Sequence, residues 1–385
     1  MLKIVVDATP LLPKPSGVGF YVYNLIHALY QLRSQENFEP GIVYQPSLKN
    51  WLRGNLSFPE SLNQYSNLYL LPLPVRVTNL LGAFPNPLIS YFEGKMGYPD
   101  IIHGTNYAVY PCQKSLKVMN IYDLSFIKYP DYVNSIVRTY TQRVKQSLQW
   151  ADLVITISES SKQDIVNYLK VEPERVYVTY LASRYTSNYL KEALISPSFK
   201  TIYDFSKPYI LFVSTIEPRK NIITLISAFN QLKQNYKIDH QLILIGQKGW
   251  RYEPIFAEIE RSPWKDHIHH LDYLSDEMVA LFYSKADVFA YPSHYEGFGL
   301  PVLEAMTLGT PVVASNTSSL PEVAGDAALL VDPNDSMGLA EAILQVISDS
   351  QLRNALIQKG KEQAKLFSWE KTAKATLQAY RFLRK

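Results

Sequence analysis

One segment indicates the fold class of this chain most clearly: YPSHYEGFGLPVLEAM, residues 291–306. An apolar strand ends at Tyr291, a glycine-bearing loop follows, and a helix begins near Pro301. Proline fits the first turn of a helix because its missing N–H would have no partner there. Gly297 and Gly299 let a ligand approach the backbone, and the N–H groups of a helix start attract anions. The segment therefore predicts a strand–loop–helix unit that holds an anion.

The same order of strand, loop and helix repeats along the chain. Short apolar runs alternate with amphipathic helices, and serines after Ile157 are available as helix caps. The predicted strands are Lys3–Val6, Asp100–His103, Val118–Ile121, Leu153–Ile157, Val176–Thr179, Tyr209–Ser214, Gln241–Ile245, His267–Leu271, Val288–Tyr291, Pro311–Ser315 and Ala328–Val331. The predicted helices begin at Gly17 and cover Ile222–Leu232, Asp276–Ser284, Leu300–Leu308 and most of the tail after Ser336. This alternation predicts an α/β protein with parallel sheets covered by helices on both faces.

Composition and charge exclude several classes of protein. The formal charge is +3 over 385 residues with Lys and Arg scattered, so the basic footprint of a nucleic-acid binder is missing. No apolar run approaches the roughly 20 residues of a membrane helix. The N-terminus enters a strand without the apolar core of a signal peptide. The single cysteine, Cys112, fits a reducing compartment. Together these features predict a cytoplasmic protein.

Two carboxylates flank the predicted anion site. Glu296 lies in the loop and Glu304 lies one turn into the helix. A carboxylate does not favour a phosphate as neighbour, so we expect the pair to accept hydrogen bonds from hydroxyl groups on either side of it. A sugar at one end and a ribose at the other would satisfy both carboxylates.

The segment 296–306 resembles the signature of the retaining glycosyltransferases of family 4, a Glu, seven residues and a second Glu. The resemblance covers essentially the whole chain and is closest to glucosyl- and mannosyltransferases of bacterial polysaccharide synthesis. It implies the GT-B architecture, in which two Rossmann-like domains face each other across a cleft. The resemblance implies an acceptor domain, which we place at 1–195, and a nucleotide-sugar donor domain, which we place at 207–368, around the polar stretch Ser183–Pro208. A C-terminal helix at 369–385 is then expected to pack back on the N-terminal domain.

The resemblance also implies contacts with a nucleotide-sugar donor. Glu296 would touch the donor sugar and Glu304 would hold the ribose. The loop residues between them complete this donor site: Gly297, Phe298, Gly299 and Leu300.

A second group of site residues follows the first strand of the second half. Arg219 and Lys220 are suited to clamp a diphosphate, since arginine offers a planar fork and lysine a point charge, although a solvated basic turn has the same pattern. The resemblance implies that this pair neutralises the leaving diphosphate. It adds Thr215 to the donor site, because many family members carry Gly-Arg where this chain has Ser214 and Thr215.

The loop Pro15–Gly19 before the first helix is a third candidate. It lacks the last glycine of the dinucleotide fingerprint, so a plain flexible loop is equally compatible with the residues. The resemblance places Gly17 against the diphosphate, with Gly19 beside it.

A fourth group follows two strands of the first half. A lone histidine is often structural, but family members keep one near His103 that points toward the donor sugar, and Thr105 is the other position that could correspond. Asp123 resembles the aspartate of a His-Asp pair, with Tyr122 replacing the histidine. His103 is therefore a catalytic candidate, and Asp123 and Tyr107 are candidates for the acceptor side.

No Asp-x-Asp motif and no Cys/His cluster with zinc spacing occurs in the sequence. We therefore predict metal-independent catalysis without a cofactor, carried by Glu296, Lys220 and Arg219 together with His103. The expected reaction moves a hexose from a nucleotide diphosphate sugar to a glycan or lipid-linked saccharide. UDP-glucose is the preferred donor, and GDP-mannose is the close second.

Other functions and partners stay open at this point. A sugar-nucleotide epimerase that does not hydrolyse its substrate shares the fold, and a non-catalytic sugar-nucleotide-binding protein would keep the same residues. A dehydrogenase is excluded because Gly-x-Gly-x-x-Gly with its acidic ribose ligand is missing. The stretch Val75–Tyr98 mixes apolar residues with Arg76 and Lys95, and it fits either a membrane-facing acceptor surface or ordinary core. Nucleic acid is not an expected partner.

Overall fold

The chain forms two parallel sheets, one in each half, in a computed structural model. The structure describes residues 1–11, 17–74, 77, 87–132, 139–190 and 203–384. One unit comprises Met1–Ile127, Ser135–Leu181 and Trp369–Lys385, and the other comprises Lys128–Asn134 and Ala182–Ser368. Part of Val75–Tyr98, including Arg76, lies outside the described residues, as do Pro15, Ser16 and part of Ser183–Pro208.

The first sheet has seven parallel strands within the described residues, in the order β3-β2-β1-β4-β5-β6-β7. Their bounds are Leu2–Asp7 (β1), Phe38–Tyr44 (β2), Leu68–Leu70 (β3), Ile101–Gly104 (β4), Leu116–Asn120 (β5), Leu153–Thr156 (β6) and Val176–Val178 (β7). The central strands are almost wholly buried and apolar, as expected for a sheet with helices on both faces.

Six helices of the first unit are described before the second sheet begins. They are Gly17–Glu36 (α1), Leu48–Leu52 (α2), Pro87–Lys95 (α3), Ser125–Lys128 (α4), Tyr140–Ser147 (α5) and Glu159–Leu169 (α6), although Lys128 itself groups with the second unit. Ser158 caps α6 by accepting a hydrogen bond from the Ser161 N–H at 3.0 Å. This is the cap that the serine run predicts.

The second sheet has six parallel strands within the described part, in the order β10-β9-β8-β11-β12-β13. Their bounds are Tyr209–Val213 (β8), Gln241–Ile245 (β9), Ile268–Leu271 (β10), Val288–Tyr291 (β11), Val312–Ser315 (β12) and Ala328–Val331 (β13). Its helices are Ile222–Tyr236 (α7), Glu253–Arg261 (α8), Asp276–Lys285 (α9), Leu300–Leu308 (α10), Leu320–Ala324 (α11), Ser336–Ser348 (α12) and Ser350–Ala364 (α13). The chain therefore contains the two Rossmann-like units that the sequence predicts.

The C-terminal helix Trp369–Leu383 (α14) belongs to the first unit and packs against α1. The Trp369 ring meets the edge of Phe20 at 5.6 Å between centroids, and Arg381 pairs with Glu36 at 2.9 Å. None of the helices in the described part of the chain combines the length and hydropathy that a membrane crossing requires.

The N-terminal part of the first unit extends to Leu181, whereas the sequence placed the end of the first domain at residue 195. The next residues bond into the second unit. The Arg184 guanidinium pairs with the Asp276 carboxylate at 3.0 Å, and the Tyr185 hydroxyl donates to the Asp276 carbonyl at 3.2 Å. These two contacts explain why the boundary precedes the polar stretch.

Candidate functional site

The loops after β8 and β11 meet at the carboxyl edge of the second sheet. The two strands are neighbours although β9 and β10 lie between them in sequence, so the strand order reverses here. Open parallel sheets bind ligands at such a switch point. The buried Asn221 amide donates to the carbonyl oxygens of Pro292 at 3.0 Å and Pro333 at 2.6 Å. The His294 N–H donates to the Arg219 carbonyl at 3.0 Å, so the loops are held together.

Glu296 lies between the two predicted basic residues. Lys220 Nζ donates to Glu296 Oε1 at 2.6 Å, and Arg219 Nη1 donates to Glu296 Oε2 at 3.1 Å. Lys220 also donates to the Tyr291 hydroxyl at 2.9 Å, and Arg219 pairs with Glu217 at 2.6 Å. Glu296 and Lys220 are only 7% and 6% exposed. The structure thus joins the two sequence motifs into one buried cluster of charges.

Burial and charge act in opposite directions on this cluster. Burial alone would raise the pKa of the Glu296 carboxyl, but the Lys220 ammonium and the Arg219 guanidinium outweigh it and lower this pKa to about 2. Burial and the adjacent Arg219 lower the pKa of Lys220, although Glu296 opposes them. Burial also raises the pKa of the Tyr291 hydroxyl. Buried groups with perturbed pKa values at a switch point are typical of functional sites.

The loop before α10 is fixed by residues that follow β12. The Ser319 hydroxyl lies between the carbonyl oxygens of Glu296 at 2.9 Å and Phe298 at 2.7 Å, which share its single proton. Gly299 adopts a left-handed conformation with φ of 109°, and a Cβ there would lie 2.7 Å from the Leu320 side chain. Position 299 therefore requires glycine for its conformation, and a Cβ there would also force the Leu320 side chain to shift. Leu300 then begins the helix, as the sequence predicts.

Glu304 lies in α10, where its carboxylate is 2% exposed and already has a cationic partner. Arg184 Nε donates to Glu304 Oε1 at 2.6 Å, and the Tyr283 hydroxyl lies 3.5 Å from Oε2. Burial raises the pKa of Glu304, and the Arg184 guanidinium opposes this shift. Arg184 was not predicted from the sequence, because it lies in a polar stretch without periodicity and nothing in the sequence links it to α10.

Thr215 is exposed at the end of β8, beside the glycine loop that follows β9. A Cβ at Gly246, whose φ is 146°, would lie 1.9 Å from the Ser214 carbonyl oxygen. A Cβ at Gly249 would lie 2.5 Å from the methyl group of Thr215. The glycine loop 246–249 therefore packs directly on Ser214 and Thr215.

His103 requires a correction. It is fully buried in the first unit, where its ring nitrogens pair with the Tyr380 hydroxyl at 2.6 Å and with the Asn120 side-chain oxygen. Burial lowers its pKa to about 4, so the ring is neutral. Thr105, the other position considered, donates to the Asp7 carbonyl at 2.7 Å. Both ring nitrogens of His103 therefore already have hydrogen-bond partners, so neither can bind a sugar. The side chain instead links β4 to α14.

The remaining first-unit candidates have local roles that the structure shows directly. Asp123 Oδ1 accepts the Ser125 N–H at 2.8 Å beside α4. Tyr107 is 7% exposed and packs its ring at 5.5 Å from Tyr122. Gly17 is exposed at the start of α1 and Gly19 is buried two residues later. Their predicted contacts with acceptor or diphosphate stay predictions.

The described residues contain no group of three or more His, Cys, Asp and Glu arranged to hold a metal ion. Glu296, Glu304, Arg219 and Lys220 are instead paired as carboxylate and cation. The site is therefore a buried set of charged side chains beside the start of a helix. Such a site is suited to bind an anion that carries hydroxyl groups nearby.

Comparison with known proteins connects this geometry to a family. The family described as "Glycosyl transferases group 1" matches residues 198–363. The O-antigen chain mannosyltransferase B of Escherichia coli is 37% identical over 290 residues, which are 74% of this chain and 75% of that protein. The serotype-specific mannosyltransferase WbdA of Escherichia coli is 28% identical over 241 residues, 60% of this chain but only 29% of WbdA.

A solved structure supports the same fold. Sucrose-phosphate synthase from Thermosynechococcus elongatus superposes with a TM-score of 0.71 at 22% identity, covering 100% of this chain and 99% of that one. At this identity the likeness bears on the fold alone. Taken with the relatives in sequence, it shows that the chain is a GT-B glycosyltransferase and belongs to the group 1 glycosyltransferases.

Proposed function

We propose that this enzyme transfers mannose from GDP-mannose to a saccharide acceptor, with retention at the anomeric carbon, in the synthesis of an O-antigen-like polysaccharide. The two Escherichia coli relatives are mannosyltransferases, and one is named for the O-antigen chain. Both names specify mannose, whereas the donor preferred from the sequence alone, UDP-glucose, carries glucose. The donor proposal therefore moves to GDP-mannose, the second candidate.

The observation that carries the proposal is the buried cluster of Lys220, Arg219 and Glu296 at the switch point of the second sheet. Two cations are already desolvated there, so they interact strongly with a diphosphate that enters beside them. When the bond between the anomeric carbon and the diphosphate oxygen breaks, negative charge grows on GDP. Stabilisation of this charge by Lys220 and Arg219 lowers the barrier. The acceptor hydroxyl oxygen forms the new bond to the anomeric carbon, and its proton passes to the departing diphosphate oxygen.

The two glutamates would then have distinct roles. Glu296 holds the cations in position before the donor binds and accepts hydrogen bonds from the mannose hydroxyls afterwards. Glu304 accepts hydrogen bonds from the ribose, for which it must share or release Arg184, now 2.6 Å away. These roles follow the family signature, and the burial of both carboxylates supports them.

A donor panel tests the proposal. Purified enzyme is incubated with GDP-mannose, UDP-glucose or GDP-glucose and a mannose-terminated saccharide, and products are separated and weighed by mass spectrometry. We expect a hexose to be added from GDP-mannose, with little product from the other two. Product from UDP-glucose alone would contradict the donor, and conversion of the donor without acceptor would indicate an epimerase.

A cytoplasmic location, contact with the membrane surface and a lipid-linked form of the acceptor remain predictions. They require experiments on cells or vesicles and do not affect the donor chemistry.

A further inference from the structure

A short segment that follows β5 and α4 has no role in the reaction proposed above. The residues Lys128–Asn134 group with the second unit, although the chain up to Ile127 and again from Ser135 belongs to the first unit. We call the described part of this segment, residues 128–132, the strap. The strap is therefore a piece of the first half of the chain that packs on the unit with the buried cluster of charges.

Two loops of the second unit hold the strap. Lys128 Nζ lies over the ring of Tyr295, 4.7 Å from its centroid, and the ring of Tyr129 lies 5.5 Å from the same ring. Further along the strap, Arg251 Nη1 donates a hydrogen bond to the Asp131 carbonyl oxygen at 3.0 Å. The strap thus connects the loop after β11 with the loop after β9, both of which follow the carboxyl ends of strands in the second sheet.

Tyr295 connects the strap to the cluster of charges. It directly precedes Glu296 and is only 1% exposed. Its carbonyl oxygen accepts a hydrogen bond from Arg219 Nη1 at 2.7 Å, and the same nitrogen donates to Glu296 Oε2 at 3.1 Å. Arg219 Nη2 donates to Glu217 at 2.6 Å. The backbone of Tyr295 therefore supplies one of the acceptors that hold the Arg219 guanidinium in place.

The cation of Lys128 favours one placement of the Tyr295 ring. An ammonium group is attracted to the negative face of an aromatic ring, and the attraction is stronger where water is excluded. Tyr295 is buried and Lys128 is partly buried, so the pair is shielded from water on at least one side. Because a closely packed ring and its backbone shift together, loss of the cation also loosens the Tyr295 carbonyl. Arg219 then loses a fixed acceptor.

We propose that Lys128 is a positioning residue of the donor site: through the ring and the carbonyl of Tyr295, it keeps Arg219 in the orientation that binds the diphosphate. The contacts of the strap are those of the structure, whereas the effect on the ligand rests on the proposed function, in which Arg219 binds that diphosphate. Lys128 acts through Arg219 and needs no contact with the donor. Its effect on binding is therefore expected to disappear when the Arg219 guanidinium is absent.

Calorimetric titration of GDP and of UDP tests the proposal by binding alone, and thermal unfolding checks that each variant is folded. Lys128→Met and Tyr129→Leu each remove one contact of the Tyr295 ring, so we expect affinity to fall about 3- to 10-fold in both. Lys128→Arg keeps the cation and should bind nearly as the wild type does. Lys114→Met is the matched control, since Lys114 Nζ lies 4.1 Å from the centroid of the Tyr98 ring in the first unit.

A second background separates positioning from direct contact with the nucleotide. Lys128→Met and Tyr129→Leu are each combined with Arg219→Gln, and the losses in the two backgrounds are compared as double-mutant cycles. If the strap acts through Arg219, either change should alter affinity by less than about twofold in the Arg219→Gln background. Because two strap variants are measured, the comparison stands even if one of them does not fold.

The outcomes separate this inference from the proposed donor. A loss of affinity that depends on Arg219 and is seen for UDP, with no binding of GDP, supports the role of Lys128, and GDP-mannose as donor then fails alone. Wild-type affinity in Lys128→Met overturns the positioning role. An equal loss in both backgrounds also overturns it, because Lys128 then acts independently of Arg219. Failure of the wild type to bind either nucleotide overturns both proposals.

Discussion

At the scale of single residues, the site depends on charges that only the fold brings together. Lys220 and Glu296 are 76 positions apart, yet their side chains meet at 2.6 Å. The sequence predicted both residues from separate motifs, because each motif has its own local pattern. It could not predict that they neutralise each other, since no periodicity reports a contact between two loops.

The Glu296 ion pair predicts a specific dependence of stability on pH. Its folded pKa of about 2 lies below the ordinary value of 4.5, so its contribution is present above pH 4.5 and is lost as pH falls toward 2. Glu296→Gln removes this contribution. The difference in unfolding free energy between wild type and variant should therefore have its largest value above about pH 5 and decrease as the pH falls toward about 2.

Urea unfolding at a series of pH values measures that difference. Glu258→Gln, whose partner Arg261 is exposed, is the control and should show almost no change at any pH. A difference in unfolding free energy between wild type and Glu296→Gln that stayed constant from pH 6 to pH 3 would contradict the ion pairs of Glu296 with Lys220 and Arg219.

Arg184 predicts a second pH effect, on nucleotide binding. The pKa of Glu304 is raised by burial and held down by Arg184, so Arg184→Gln should raise it further. A protonated Glu304 accepts hydrogen bonds from ribose poorly. GDP affinity should therefore fall as pH decreases, and the fall should begin at higher pH in Arg184→Gln than in the wild type.

Fluorescence titration of GDP between pH 5 and pH 8 checks this prediction. Arg261→Gln replaces an exposed arginine of the same unit and should follow the wild type. Identical pH profiles for Arg184→Gln and wild type would separate Glu304 from ribose recognition.

At the scale of elements, sequence patterns predicted most strands but missed those that carry breakers or are very short. Gln241–Ile245, Val288–Tyr291 and Ala328–Val331 were predicted with their observed bounds, because they are uninterrupted apolar runs. The strand Phe38–Tyr44 was missed because Pro40 and Gly41 are typical of a turn. Tertiary pairing with β1 overrides that local preference.

Short or strongly polar elements were also missed for a physical reason. Leu68–Leu70 has only three residues and gains its identity from pairing with β2. Helix Glu253–Arg261 has a proline in its first turn, which is compatible with a helix but is equally common in loops. In both elements, the neighbouring structure decides what the local sequence leaves open.

The loop after β9 predicts a strong effect of one methyl group. Gly246→Ala places a Cβ 1.9 Å from the Ser214 carbonyl oxygen at a φ of 146°, so the loop must move away from β8. We expect the unfolding free energy to fall by about 1–3 kcal/mol from backbone strain, with the cost of the clash in addition. GDP binding should weaken as well, because the displaced loop lies beside Thr215.

Gly17→Ala is the contrasting variant. A Cβ at Gly17 meets no atom of the described residues within 4 Å, so this change should leave stability nearly unaltered or raise it slightly. Thermal unfolding and GDP titration of both variants compare the two effects. A stable Gly17→Ala enzyme that has lost GDP affinity would show that Gly17 contacts the diphosphate, and an unaffected Gly246→Ala variant would contradict the close packing on Ser214.

At the scale of the whole molecule, the sequence predicted two Rossmann-like units and the glycosyltransferase family. The choice of donor sugar required comparison with the relatives. The Glu-x7-Glu pattern is common to the family, so it does not distinguish glucose from mannose or uracil from guanine. The relatives named for mannose transfer support mannose as the sugar, and guanine as the base stays part of the proposal. His103 shows the limit of transfer by resemblance, since its burial is visible only in three dimensions.

Metal removal tests the predicted source of charge stabilisation. If Lys220 and Arg219 carry it, transfer from GDP-mannose should continue at more than half of its initial rate after dialysis against EDTA. Product formation is followed with and without Mg²⁺ or Mn²⁺ added back. Loss of activity that either ion restores would show that the two side chains do not suffice.

The central claim is that Lys220 and its neighbours bind the diphosphate, and calorimetric titration of GDP into wild type and Lys220→Met tests it most directly. Lys233→Met, a buried lysine of the same unit that bonds to the Ile238 carbonyl, is the matched control. The account predicts that the affinity for GDP falls roughly tenfold or more in Lys220→Met, because a charged hydrogen bond to the anion is lost. The control should bind GDP with wild-type affinity. Equal affinity of wild type and folded Lys220→Met for GDP would contradict it.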